Sequence, residues 1–174
     1  QIILALQSVV SRNVDPLKAA IVTVCGMVSD TDTYNVIPDE VILKGTTRYL
    51  DKEVQGLIME RMEAIVTSTA QAYGATAELK YFKGVPPTVN APEATRIAAA
   101  VAEAVTGKTA VEIAPVMPAE DFSEMLEARP GAYIFLGNGD SGALHHPKYN
   151  FDDNNLPIGA SWFATLAETR LPLK

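Results

Sequence analysis

Two rhythms of apolar and polar positions run through the first eighty residues. Ile2, Leu6, Val9 and Val10, with Leu4 less regularly placed, make an apolar stripe at helical spacing, which predicts a helix over residues 2–10. No capping residue or turn precedes it, so the chain is expected to begin inside a helical pattern. Asn13, Asp15 and Pro16 predict a turn, and the β-branched run 20–25 a short strand. Residues 26–33 are polar and turn-like. Over 40–50 the period falls to two: Val41, Leu43, Gly45, Thr47 and Tyr49 share one face, and Lys44, Thr46 and Arg48 the other. Asp51 then caps a long helix to Tyr73. Val54, Leu57, Ile58, Met62, Ile65, Val66 and Thr69 form its buried stripe, and Gly74 stops it. Ala77, Leu79 and Tyr81 alternate with Glu78 and Lys80 as a further strand.

The predicted order is helix, strand, strand, helix, strand. With one strand placed in front it becomes the β-α-β-β-α-β ferredoxin-like unit, so the expectation is an incomplete ferredoxin-like domain lacking its first strand. The texture changes after Gly84. A Pro-rich connector, 85–90, precedes an Ala-rich helix over 92–106, a strand near 110–113 and a helix over 121–128. A glycine-bounded apolar run, 133–136, has the composition of a strand buried on both faces. A polar loop, 137–153, leads to a last helix over about 156–169. Alternating helices and buried strands imply α/β layering. The expected division is residues 1–83 and 84–174, with the boundary near Lys83.

Composition narrows the function. The chain has 174 residues, 48% of them hydrophobic and 20% charged, which suits a folded protein rather than a disordered one. A formal net charge of -7, with no Lys/Arg cluster, argues against nucleic acid. No run approaches the roughly 18 apolar residues that span a bilayer, and residues 1–10 lack a basic leader and a cleavage site. The lone Cys25 has no intramolecular disulfide partner, in keeping with a cytoplasmic location.

Few residues carry candidate chemistry. His145-His146-Pro147 contains the only histidines, in a loop after a buried apolar run, where α/β enzymes place their sites. Imidazole suits zinc, manganese, cobalt or nickel, but spacing alone favours an exposed polar loop tip, and one His does not complete a catalytic site. Glu120 and Asp121 at a helix start serve either as caps or, for Glu120, at the rim of a pocket. Arg48, on the polar face of its strand, offers a planar clamp for a carboxylate or is an ordinary solvated Arg. Asn35 is a turn residue or a substrate contact. Gly137-Asn138-Gly139 lacks the spacing of a phosphate loop. Cys25, in an apolar strand, is expected to be a buried small hydrophobe. No G-x-S-x-G elbow is present.

Five stretches together resemble the two-metal amidohydrolases that include hippurate hydrolase, plant auxin-conjugate hydrolases and bacterial N-acyl-amino-acid amidohydrolases. They are LQSVVSRNVDPL (6–17), YNVIPDEVILKGTTR (34–48), PVMPAEDFSEML (115–126), PGAYIFLGNG (130–139) and LHHPKYNFDD (144–153), in the family's order. The resemblance implies a ferredoxin-like lid that also makes the dimer contact, here residues 1–83, followed by the C-terminal part of a metal-binding catalytic domain. It implies that His145, opening the H-x-P-x-Y loop, is a metal ligand, while His146 is not. It further implies that Asn35 and Arg48 hold a substrate carboxylate or carbonyl, with Glu120 a weaker substrate-site candidate. The remaining ligands of the two divalent ions and the catalytic Glu are expected upstream, so this stretch is expected to be inactive alone. Pro118 before Ala119, and Asn150-Phe151-Asp152-Asp153 in place of Asp-Phe-Asn-Asp, depart from the usual pattern. The implied reaction is hydrolysis of an N-acyl amino acid; a non-catalytic dimerisation or small-ligand-binding module is the competing reading.

Overall fold

The computed structural model describes residues 1–171. Two compact units divide the chain: Gln1–Pro87 with Met117–Ala119, and Thr88–Val116 with the residues from Glu120 onward. Helices and a small sheet make it an α/β protein.

In the first unit, helix α1 spans Ile2–Ser8 and passes into a π-helical turn, Val9–Asn13, rather than continuing as a regular helix to residue 10. The Asn13 side-chain amide also donates to the Ser8 carbonyl at 2.8 Å, across the same five-residue span as the turn's own i→i+5 bonding. Strand β1 (Ala20–Ser29) pairs antiparallel with β2 (Val41–Tyr49). β1 is therefore four residues longer than its β-branched core, because Gly26–Ser29 pair with Val41–Lys44. A bulge between Val24 and Gly26 leaves Cys25 as the extra residue. Cys25 is consequently exposed, not a buried hydrophobe as its neighbours suggested. Gly45 is required opposite this bulge, since a Cβ there would run into the Thr23 carbonyl.

The predicted face of β2 is the inner one. Tyr49 and Thr47 lie opposite Ala20 and Val22, and the sheet packs on α1, the π turn and helix α2 (Lys52–Ala72). Leu6, Val9, Val14, Val22, Val54, Ile58 and Val66 form the core, with Val9 and Ile58 fully buried. Asp51 caps α2 through the Glu53 N–H at 2.8 Å, and Lys18 reaches the same carboxylate at 2.7 Å. Residues 77–81 do not form the predicted strand: the sheet has two strands among the described residues. Their alternation is nonetheless used in packing, since Ala77 and Tyr81 lie against the core and the Tyr81 hydroxyl meets Thr47 Oγ1 at 2.6 Å. What the segment lacks is a partner backbone to complete a ladder.

In the second unit, helix α3 (Pro92–Thr106) packs on helix α5 (Asn155–Arg170), and Trp162 Nε1 donates to the Ala98 carbonyl at 3.1 Å. The short helix α4 covers Phe122–Ala128. The strands predicted at 110–113 and 133–136 are absent for the same reason as 77–81. Ile134, Phe135 and Leu136 are 39%, 58% and 48% exposed, so this run is not buried on both faces. It is fixed at its start instead. Asn90 and Tyr133 exchange two bonds, Asn90 Nδ2 to the Tyr133 carbonyl at 2.9 Å and the Tyr133 N–H to Asn90 Oδ1 at 2.8 Å. The Tyr133 ring lies between Phe122 and Phe135, with centroids 5.8 and 5.4 Å away.

Candidate functional site

His145 lies in an irregular connection between the apolar run 133–136 and α5. It is exposed, and no hydrogen bond engages its imidazole among the described residues. Its φ of 67° is the one left-handed conformation at a non-glycine residue among those described. Such a conformation is sparsely populated and persists where the surroundings impose it. His146 is occupied differently, its Nδ1 accepting the Lys148 N–H at 3.1 Å. Successive turns shape the loop, with His146 N–H donating to the Ala143 carbonyl and Tyr149 N–H to the His146 carbonyl, both at 2.9 Å. Gly142 sits hard against it: a Cβ there would be 2.9 Å from His146 Nδ1 and 3.0 Å from Lys148 and Tyr149 backbone atoms.

The imidazole of His145 fits a divalent ion as one ligand, being exposed and unpaired. Among the described residues no group of three or more His, Cys, Asp or Glu side chains is arranged to hold a metal. A catalytic zinc site draws on about three protein ligands, so the described residues do not make such a site by themselves.

Glu120 is held locally. Its carboxylate accepts the Phe122 N–H at 3.2 Å, and its carbonyl accepts the Ser123 hydroxyl at 2.6 Å. A hydrogen bond from the Tyr133 hydroxyl, then the Phe122 N–H, holds the Glu120 carboxyl below the usual range; the same carboxylate pushes the Tyr133 hydroxyl up. These contacts make Glu120 a capping group and an anchor for Tyr133, with no bond to His145.

The two candidates of the first unit are not linked to each other either. Asn35 is an exposed turn residue in the 30–40 connection. Arg48 pairs with Ile21 at the far end of β2, roughly 23 Å of strand from where that connection rejoins the sheet at Val41. Arg48 Nη1 donates to Thr46 Oγ1 at 2.6 Å and to the Thr47 carbonyl at 2.9 Å, which orients an exposed guanidinium whose other donors have no partner among the described residues.

Asn138, Asn90 and Tyr133 carry structural duties near these candidates that their local sequence did not disclose. Asn138 donates from Nδ2 to the Asn150 carbonyl at 2.7 Å and accepts the Asp152 N–H on Oδ1 at 2.8 Å. The spacing of Gly137-Asn138-Gly139 was informative only about what it is not.

Peptidase family M20/M25/M40 matches residues 6–169, and the chain belongs to that family. The chain is 36% identical over 171 residues to the N-acetyl-L-cysteine deacetylase of Bacillus subtilis (strain 168), covering 98% of this chain and 40% of the relative. It is 39% identical over 170 residues to the hippurate hydrolase of Campylobacter jejuni, covering 95% and 44%. Among solved structures it resembles Bacillus subtilis YXEP, described as a dinuclear metal binding peptidase from the M20 family. The TM-score is 0.76 at 29% identity, over 100% of this chain and 47% of that one. The chain thus spans less than half the length of these relatives. The resemblance drawn from the five motifs is borne out, and the competing reading as a non-catalytic module finds no support among relatives named as hydrolases. No helix among the described residues is long and apolar enough to cross a membrane.

Proposed function

We propose that this chain acts within a longer metal-dependent amidohydrolase that cleaves the amide bond of N-acyl amino acids or related small amides. The observation that carries this reading is His145, unpaired, exposed and held at positive φ in a stretch matched throughout by an M20 peptidase family. In this reading residues 1–83 are the lid and dimer contact of a cytoplasmic homodimer, and residues 84–174 are the C-terminal part of the catalytic domain. Two divalent ions, when bound, supply Lewis acidity toward water and the amide carbonyl. His145 would hold one of them through its imidazole. The general-base Glu and the other ligands lie outside this sequence. Arg48, already oriented by Thr46, presents its remaining donors to the substrate carboxylate, and Asn35, which the fold does not bring to Arg48, donates to a substrate oxygen only where lid closure or the partner subunit's site brings it there. Glu120 contributes to the pocket by fixing Tyr133 and the start of α4 rather than by reaching substrate.

The test is a substitution in the whole protein. Arg48→Ala should lower kcat/KM for an N-acyl amino acid by about 10- to 100-fold, the range expected for losing one charge-assisted contact, and change the rate on the methyl ester little. Equal losses on acid and ester would remove the carboxylate-clamp role.

A further inference from the structure

His145 keeps a left-handed backbone in a loop with no sheet or helix of its own, so something else must impose its placement. The side chain that closes the loop is Asn138. Its amide bonds both ways to the returning chain, Nδ2 to the Asn150 carbonyl at 2.7 Å and Oδ1 from the Asp152 N–H at 2.8 Å. The orientation is determined, because exchanging O and N would oppose carbonyl to carbonyl and donor to donor. His145 lies midway between Asn138 and Asp152. Ser141 Oγ accepts the Asn150 N–H at 2.8 Å inside this ring, and Asn155 Nδ2 donates to the Gly137 carbonyl at 3.1 Å at its base. Asp152 is itself fixed, its Oδ1 accepting from Asn154 N–H and Nδ2 at 3.0 and 2.8 Å.

We propose that Asn138 is the positioning residue for His145: its two-way clamp sets how the imidazole is presented to a divalent cation. The proposal rests on the reading of His145 as a metal ligand. Asn138 touches neither metal nor substrate and acts through the loop. A loop released from Asn138 has to be ordered again when the ion binds, so the loss appears in metal affinity and not only in stability.

The experiment titrates the whole protein with Mn2+, following free Mn2+ by electron paramagnetic resonance, for wild type, Asn138→Ala, Asn138→Asp and His145→Ala. Amide exchange at Asn150 and Asp152 and far-UV circular dichroism are recorded on the same samples. Asn138→Ala should raise the Mn2+ Kd about 10- to 100-fold and speed exchange at both amides, with the circular dichroism unchanged. Asn138→Asp, nearly isosteric, removes the donor to Asn150 and should raise the Kd in the same direction. If His145→Ala raises the Kd while both Asn138 variants stay within about twofold of wild type, the positioning role is overturned. An unchanged Kd in His145→Ala overturns the metal reading itself and the proposal with it.

Discussion

Gly142 shows how tightly the histidine loop is set at the level of single atoms. The atoms nearest a Cβ at this position include backbone of Lys148 and Tyr149, which cannot swing away as a flexible side chain would. Gly142→Ala should therefore displace residues 146–149, lower the melting temperature and accelerate amide exchange at Tyr149; unchanged exchange there would show that the loop yields. Glu120 and Tyr133 make a second residue-scale case. The carboxyl is held down chiefly by the Tyr133 hydroxyl, so its stabilising effect is present above its unfolded pKa and fades as pH falls through the lower folded one. The raised hydroxyl works in the opposite sense, its contribution fading as pH rises through the folded value. Tyr133→Phe should move the Glu120 titration up toward the ordinary range in an NMR pH series, and an unmoved titration would contradict the bond. Glu120 at a helix start was legible as a cap from the sequence. Its bond to Tyr133 was not, because that partner lies beyond α4. Asn138 was illegible for the same reason, its contacts falling on the far side of the loop.

At the scale of elements, the sequence resolved what a local period specifies and missed what a neighbour must supply. Helix α2 stands where its stripe, cap and stop placed it, with Asp51 capping it and the chain turning at Gly74 with φ 72°, and α3 stands where its Ala-rich run placed it. Alternation in 41–49 identified the inner face of β2, which the register with β1 confirms. Period alone could not tell that β1 continues past its bulge, because pairing with β2 carries Gly26–Ser29 into the sheet despite their turn-like composition. Nor could it supply ladder partners for 77–81, 110–113 and 133–136. The first unit's core depends on α2 meeting the sheet and α1. Ile58, fully buried there, should cost about 2–5 kcal/mol when truncated to Ala, read as a lower midpoint in urea unfolding with unchanged slope. A loss well below 1 kcal/mol would mean that the site collapses around the missing atoms.

For the whole molecule, the five motifs disclosed the family because they keep one order along nearly the whole chain. The same motifs do not assemble a metal site, and the chain spans 40% and 44% of the deacetylase and hippurate hydrolase it matches. His145 is exposed and unpaired, and no group of three or more His, Cys, Asp or Glu side chains among the described residues could hold a metal. Function on this account belongs to a longer polypeptide in which His145 joins ligands from elsewhere. The most direct test is elemental analysis of that whole protein, purified with and without His145→Ala after equilibration with limiting Mn2+ or Zn2+. Fewer metal ions per chain are expected in the variant, with the fold retained by circular dichroism. An unchanged metal content would contradict it.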